Sequence, residues 1–173
     1  RLLSDPEWPW LSVKPAMDLT EMANSLHFFN TSLWNEEDLA RRTMVSDAEI
    51  AKNKRAIDKF NQNRNDQIEK IDDLILANLS TGLANLKTGC RSSETAGSMV
   101  DRISILSLKI HHMAIQAQRT DVDETHRSKA NARVEILQEQ RSDLVECLTN
   151  LFQGMSQGTA YYKIYRQFKM YND

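Results

Sequence analysis

The chain has 173 residues with 22 basic and 24 acidic side chains, a formal net charge of −2. That balance leaves no electrostatic case for general nucleic-acid or anionic-membrane binding. No run approaches the roughly 18 apolar residues of a membrane span, and 40% apolar and 27% charged content fit one globular domain.

With 5 Gly and 3 Pro the chain has few helix breakers. The expected fold is all-α: four long helices in an antiparallel bundle, with an irregular N-terminal arm over 1–17 and a single helical domain over 18–173. The arm holds Trp8, Pro9, Trp10 and Pro15, and its tryptophans are expected to pack on the bundle. The first helix is predicted from an Asp18 cap to about Met44, facing inward with Leu19, Met22, Leu26, Phe29, Leu33, Ala40 and Met44. Ser46-Asp-Ala-Glu49 is a capping box opening a second helix to about Leu79, with Ile50, Ile57, Phe60, Ile68, Ile71 and Ile75 on its core face.

Residues 80–97 hold three glycines and many Ser and Thr, which predicts a long connection with a short helix at Leu83–Leu86. Ser98 is the expected cap of a third helix reaching about Arg119. It carries Met99, Ile103, Leu106, Ile110, Met113 and Ala117 in one line and Ile105 and Leu108 on another flank. Asp121-Val-Asp-Glu124 caps a fourth helix that turns Ala130, Val134, Leu137, Leu144, Leu148 and Leu151 inward and stops at Gly154. The Tyr- and Lys-rich tail from Tyr161 is expected to form a docking helix or an ordered strap.

Charged residues interrupt three of these stripes: Glu37 in the first helix, Arg64 in the second and Arg141 in the fourth. An unpaired buried charge costs several kcal/mol, so these intruders imply a paired interior network or a ligand pocket. At about 100° per residue, Asn30 and Arg41 share the edge of Glu37, with Trp34 beside them. Lys54, Asn61, Asn65 and Asp72 border Arg64, while Arg102 and Lys109 point one way from the third helix. Cations on separate helices suit a phosphate or carboxylate, and Asn side chains can read hydroxyls. The candidate ligand-binding set is therefore Asn30, Trp34, Arg41, Lys54, Asn61, Arg64, Asn65, Arg102 and Lys109, with Glu37 as the acid or base if there is chemistry.

Other chemistry has weaker support. Glu69 and Asp72 with Glu36 and Glu37 offer four carboxylates for Mg²⁺ in nucleotide pyrophosphate hydrolysis, but Glu69 and Asp72 are expected on a solvated face. No paired Glu-x-x-His, Gly-rich phosphate loop or nucleophile elbow occurs, so no metal ligand and no cofactor is assigned. His27, His111, His112 and His126 read as surface or boundary residues. Cys90 and Cys147 read as reduced thiols, and the Asn30 and Asn78 sequons as chance matches inside helices. The chain opens on Arg1, an expected sign of trimming that leaves room for a removed targeting segment.

Four motifs carry a resemblance. They are Asn30-x-x-Leu33-Trp34-x-x-Glu37-Asp38-x-x-Arg41, Lys54-Arg55-x-Ile57-Asp58-x-x-Asn61-Gln62-x-Arg64-Asn65-Asp66, Asp101-Arg102-x-Ser104-Ile105-Leu106-x-Leu108-Lys109-Ile110, and Phe168-Lys169-Met170-Tyr171-Asn172-Asp173. Across about residues 20–173 the chain resembles a family of uncharacterised, all-helical bacterial proteins of similar size, a domain of unknown function. The Leu-Trp-x-x-Glu-Asp and Asp-Arg-x-x-Ile-Leu-x-Leu-Lys pieces are also similar to a second uncharacterised family linked to lipopolysaccharide and surface-glycan gene clusters. The resemblance implies a bacterial, cytoplasmic helical protein near sugar metabolism.

Three functions are in contention: a binder of an anionic small molecule, either a sugar phosphate or a nucleotide sugar, in a polar cleft between the first three helices; a non-enzymatic partner of a glycosyltransferase or of itself, using the Tyr161–Tyr171 tail; and a Mg²⁺-dependent pyrophosphohydrolase. A homodimer is an expected assembly for a bundle of this kind.

Overall fold

The computed structural model describes residues 19–79 and 89–166. Four helices dominate: α1 (Leu19–Ala40), α2 (Asp47–Leu79), α3 (Ala96–Ala117) and α4 (Glu124–Ser156). Strands β1 (Cys90–Arg91) and β2 (Ala160–Tyr161) add one short parallel pair. The expected all-α bundle is therefore present. The N-terminal arm, the short helix at Leu83–Leu86 and the tail beyond 166 lie outside the described residues.

The connections 41–46 and 118–123 are short, so α1 turns back along α2 and α3 along α4 as two antiparallel hairpins. α3 joins them by packing on both α1 and α2, whereas α4 makes its extensive contacts with α3 and β2. The main apolar cluster gathers at one end of the molecule. It unites Leu19, Met22 and Leu26 of α1, Ile71 and Ile75 of α2, Met99 and Ile103 of α3, and Leu144, Leu148, Leu151, Phe152 and Met155 of α4.

Local chemistry explains the ends. The Ser46 capping box forms: Ser46 N–H donates to Glu49 Oε2 and Glu49 N–H to Ser46 Oγ, each at 3.3 Å. Three boundaries differ from expectation. α1 stops at Ala40, and Met44 is 94% exposed rather than buried, because the chain must already be turning toward Ser46. Thr95, not Ser98, caps α3, its hydroxyl accepting from Ser98 N–H at 3.1 Å. α4 runs through Gly154 to Ser156, and Gly158, at φ +71°, supplies the left-handed residue after the Gln157 cap.

From there the chain is an extended strap over 159–166, not a docking helix. Cys90 N–H donates to Thr159 carbonyl and Ser92 N–H to Tyr161 carbonyl, both at 2.8 Å. Gly89, at φ +102°, sits so close that a Cβ there would lie 2.1 Å from the Thr159 oxygen. Arg166 then anchors the strap on α2, bridging Glu69 and Asp73. Cys90 and Cys147 are free and exposed, and no described helix is long and apolar enough to cross a membrane.

Candidate functional site

The interior charge is real, but its centre is a residue outside the candidate set. Asp101 of α3 is 3% exposed and receives two donors from Arg64 of α2: Nε to Oδ1 at 2.8 Å, and Nη2 to Oδ2. Asn30 of α1, 5% exposed, donates Nδ2 to the same Oδ1 at 2.9 Å and to Ser104 Oγ at 3.0 Å. Ser104 Oγ lies 2.9 Å from His27 Nδ1. Ser104 Oγ keeps a second lone pair and its own proton, so it donates to Nδ1 or accepts from Nδ1–H according to the imidazole tautomer. Burial favours the neutral imidazole, since desolvation lowers the His27 pKa from its ordinary value. One chain of hydrogen bonds, Arg64–Asp101–Asn30–Ser104–His27, thus ties three helices together. It also accounts for the inward Arg64, whose pKa is raised chiefly by its bond to Asp101.

A cavity of about 240 Å³ opens above this chain between α1, α2 and α3. Of the ten expected site residues it gathers six: Asn30, Trp34, Glu37, Arg41, Asn61 and Arg64, with Leu33, Ile105 and Leu108 as apolar wall. Asp101 aims Arg64 through Nε and Nη2, leaving its Nη1 donors for other partners. Both amide protons of Asn30 are committed below, so its carbonyl oxygen is the atom left to accept. Arg41, exposed at the rim, pairs with Asp38 at 2.9 Å. Such an exposed pair is worth at most about 1 kcal/mol, so Arg41 can turn to an incoming anion at small cost.

The other four lie elsewhere. Lys54 is exposed, and ten residues of helix place it about 15 Å along α2 from Arg64. Asn65 points about 100° away from Arg64. Arg102 turns to the far side of α3 and pairs with Glu94. Lys109, exposed, lines two shallower cavities between α3 and α4, of about 600 and 690 Å³. The first of these also touches Trp34, whose ring stacks on His112 at 4.3 Å between centroids. Arg141 is only half-buried.

The four carboxylates considered for Mg²⁺ are drawn to separate partners. Glu36 accepts from Asn53 at 2.7 Å, Glu37 lines the cavity, Glu69 pairs with Arg166, and Asp72 is buried at the α2–α3 contact. Among the described residues no group of three or more His, Cys, Asp or Glu could hold a metal ion.

Asp72 corrects the sequence reading most directly: it is 2% exposed, not solvated. Gly97 N–H donates to its Oδ1 at 2.7 Å. Burial raises its pKa, the Thr95 hydroxyl and Gly97 oppose that rise, and the Tyr162 phenol stands close by outside strict hydrogen-bond geometry. Tyr162 itself is pushed well above the ordinary phenol value, first by burial and then by the Asp72 charge. A carboxyl raised in the folded state holds more protons there than when unfolded. Its contribution to stability therefore falls as pH climbs from about 4 toward the folded pKa. Asp72→Asn keeps an acceptor for Gly97 and is expected to flatten the fall of the urea midpoint as pH rises above about 4. An unchanged slope in that variant would assign the pH dependence to other groups.

Asp101 and Asp72 were both legible in principle. Stepping back seven and four residues from Leu108 reaches Asp101 and Ser104, and Asp72 sits within the Ile68, Ile71 and Ile75 stripe.

Fold and cavity together define an all-α protein of two joined helical hairpins, with a polar cavity set over a buried Arg–Asp–Asn network. The chain belongs to the family described as protein of unknown function (DUF4254), whose model matches residues 20–164. Comparison with curated proteins and with solved structures yields no match.

Proposed function

We propose that this protein binds a small anionic sugar derivative, a sugar phosphate, in the cavity between α1, α2 and α3. The carrying observation is the convergence of Arg41, Arg64, Asn30, Asn61, Trp34 and Glu37 on one cavity with an aimed guanidinium at its floor. Arg64 Nη1 and Arg41 hold the anion, the Asn30 carbonyl and the Asn61 amide meet hydroxyls, and Glu37 accepts from a hydroxyl or moves its proton. Trp34, Leu33 and Ile105 supply the apolar wall that a sugar ring packs against.

Size separates the two ligands expected from sequence. Drug-sized ligands take cavities of roughly 300–1,000 Å³, and about 240 Å³ suits a monosaccharide phosphate better than a nucleotide sugar. The glycan-linked resemblance supports a place in surface-polysaccharide metabolism.

Thermal unfolding with a panel of sugar phosphates and nucleotide sugars near 1 mM tests the reading. A sugar phosphate bound with a Kd of about 10 µM is expected to add about 2.7 kcal/mol, a rise of roughly 5–10 °C. Arg41→Ala and Asn61→Ala, which spare the buried network, are expected to remove most of that rise. A panel without any shift, or a shift that both variants retain, sinks the assignment.

A further inference from the structure

We propose that the exposed flank of α4 beside the α3–α4 seam is the contact surface of a twofold dimer, on which a second copy of this chain lays its own α4 antiparallel. Lys129, Arg133, Ile136, Gln140, Asp143 and Cys147 recur along α4 at intervals of four, three, four, three and four residues. At about 100° per residue they share an arc of about 80°, the narrow stripe of a coiled-coil seam. All six are exposed, Ile136 at 53% despite its aliphatic side chain. The adjoining stripe, Ala130, Leu144, Leu148 and Leu151, centred roughly 75° away, already serves this chain's own core.

The order of intervals reads the same in both directions. An antiparallel second α4 therefore meets the first in register, with position 129 opposite 147, 133 opposite 143 and 136 opposite 140. In that register Arg133 of each copy faces Asp143 of the other. Neither residue has an ion-pair or hydrogen-bond partner of its own among the described residues. Parallel pairing would set Arg133 against Arg133, so the charges select the antiparallel arrangement. The contact is isologous and closes at two copies.

The surroundings fit the same occupant. The stripe spans nineteen residues, a rise of about 27 Å along the helix, beside the two cavities of about 600 and 690 Å³ on the α3–α4 seam. Met113, Ile136 and Leu137 line one, and Met99, Leu106 and Leu144 the other. A second α4 fills that groove and covers the flank of Trp34, which belongs to both the groove and the polar cavity.

Sedimentation equilibrium of the full chain over a wide concentration range tests the proposal, with circular dichroism confirming the fold of each variant. The expected result is a dimer that Ile136→Asp abolishes. Arg133→Asp and Asp143→Arg alone are each expected to weaken it at least about tenfold, while the two together restore it. A monomer at every concentration, which would leave this face to a different protein, overturns the proposal. So does a dimer indifferent to these substitutions, or one that the double reversal fails to restore.

Discussion

Replacing Arg64 with Met is expected to lower the unfolding free energy by about 3 kcal/mol. The reason is the partner left behind. Asp101 is 3% exposed, and without Arg64 its carboxylate keeps only the Asn30 donor in a setting where unpaired charge is costly. Arg64 is itself about a quarter exposed, which places the loss at the low end of the 3–5 kcal/mol typical of a broken buried pair. For a chain of this length the melting temperature falls by roughly 6–12 °C. Urea denaturation measures the loss directly. Neutralising the partner as well, in Arg64→Met with Asp101→Asn, is expected to recover most of it, because an amide carbonyl still accepts from Asn30 and no buried charge remains. Equal midpoints for the wild type and Arg64→Met would mean that this ion pair does not hold α2 to α3.

The second large effect is expected at Gly97, in the first turn of α3. A Cβ there would lie 2.5 Å from the Ile68 carbonyl oxygen and 2.9 Å from Asp72 Cγ, so α2 and α3 can approach this closely only over a hydrogen atom. Alanine gains about 1 kcal/mol of helix propensity over glycine. The clash is with backbone and a fully packed carboxylate, neither of which can swing aside, and such overpacking costs about 3 kcal/mol. Steric cost wins. Gly97→Ala is therefore expected to be destabilised by about 2 kcal/mol and to lose the short Gly97–Asp72 bond. Chemical denaturation gives the first quantity, and loss of slowed amide exchange at Gly97 reports the second. A variant as stable as the wild type would show that the helices can separate here without loss.

Much of the fold was legible because helical period and capping chemistry act locally. The Ser46–Glu49 box and the apolar positions Leu26, Ile57, Ile71, Ile103 and Leu148 need only a 3.6-residue repeat and a hydroxyl at the right place. Gly154 was misread for the same reason: a glycine is compatible with a stop, but Ala160 of the returning strap packs against this one inside the helix.

The site was half legible. Glu37, Arg64 and Asn61 announce themselves as polar intrusions beside apolar stripes, and they do line one cavity. Arg102 and Lys109 share a direction on α3, yet that direction faces the α4 side. No single-helix periodicity states which neighbour a face will meet.

The sequence by itself determined the elements: four helices, the Ser46–Glu49 box that opens α2, the greasy stripes and the presence of charge within them, all consequences of interactions spanning a few residues. Only the tertiary structure decided which carboxylate meets Arg64, that Asp72 is buried at the α2–α3 contact, and that α4 leaves a flank open beside the α3–α4 seam. Those outcomes depend on the rotation and pairing of whole helices, set by packing between residues as distant in sequence as Asn30 and Ser104.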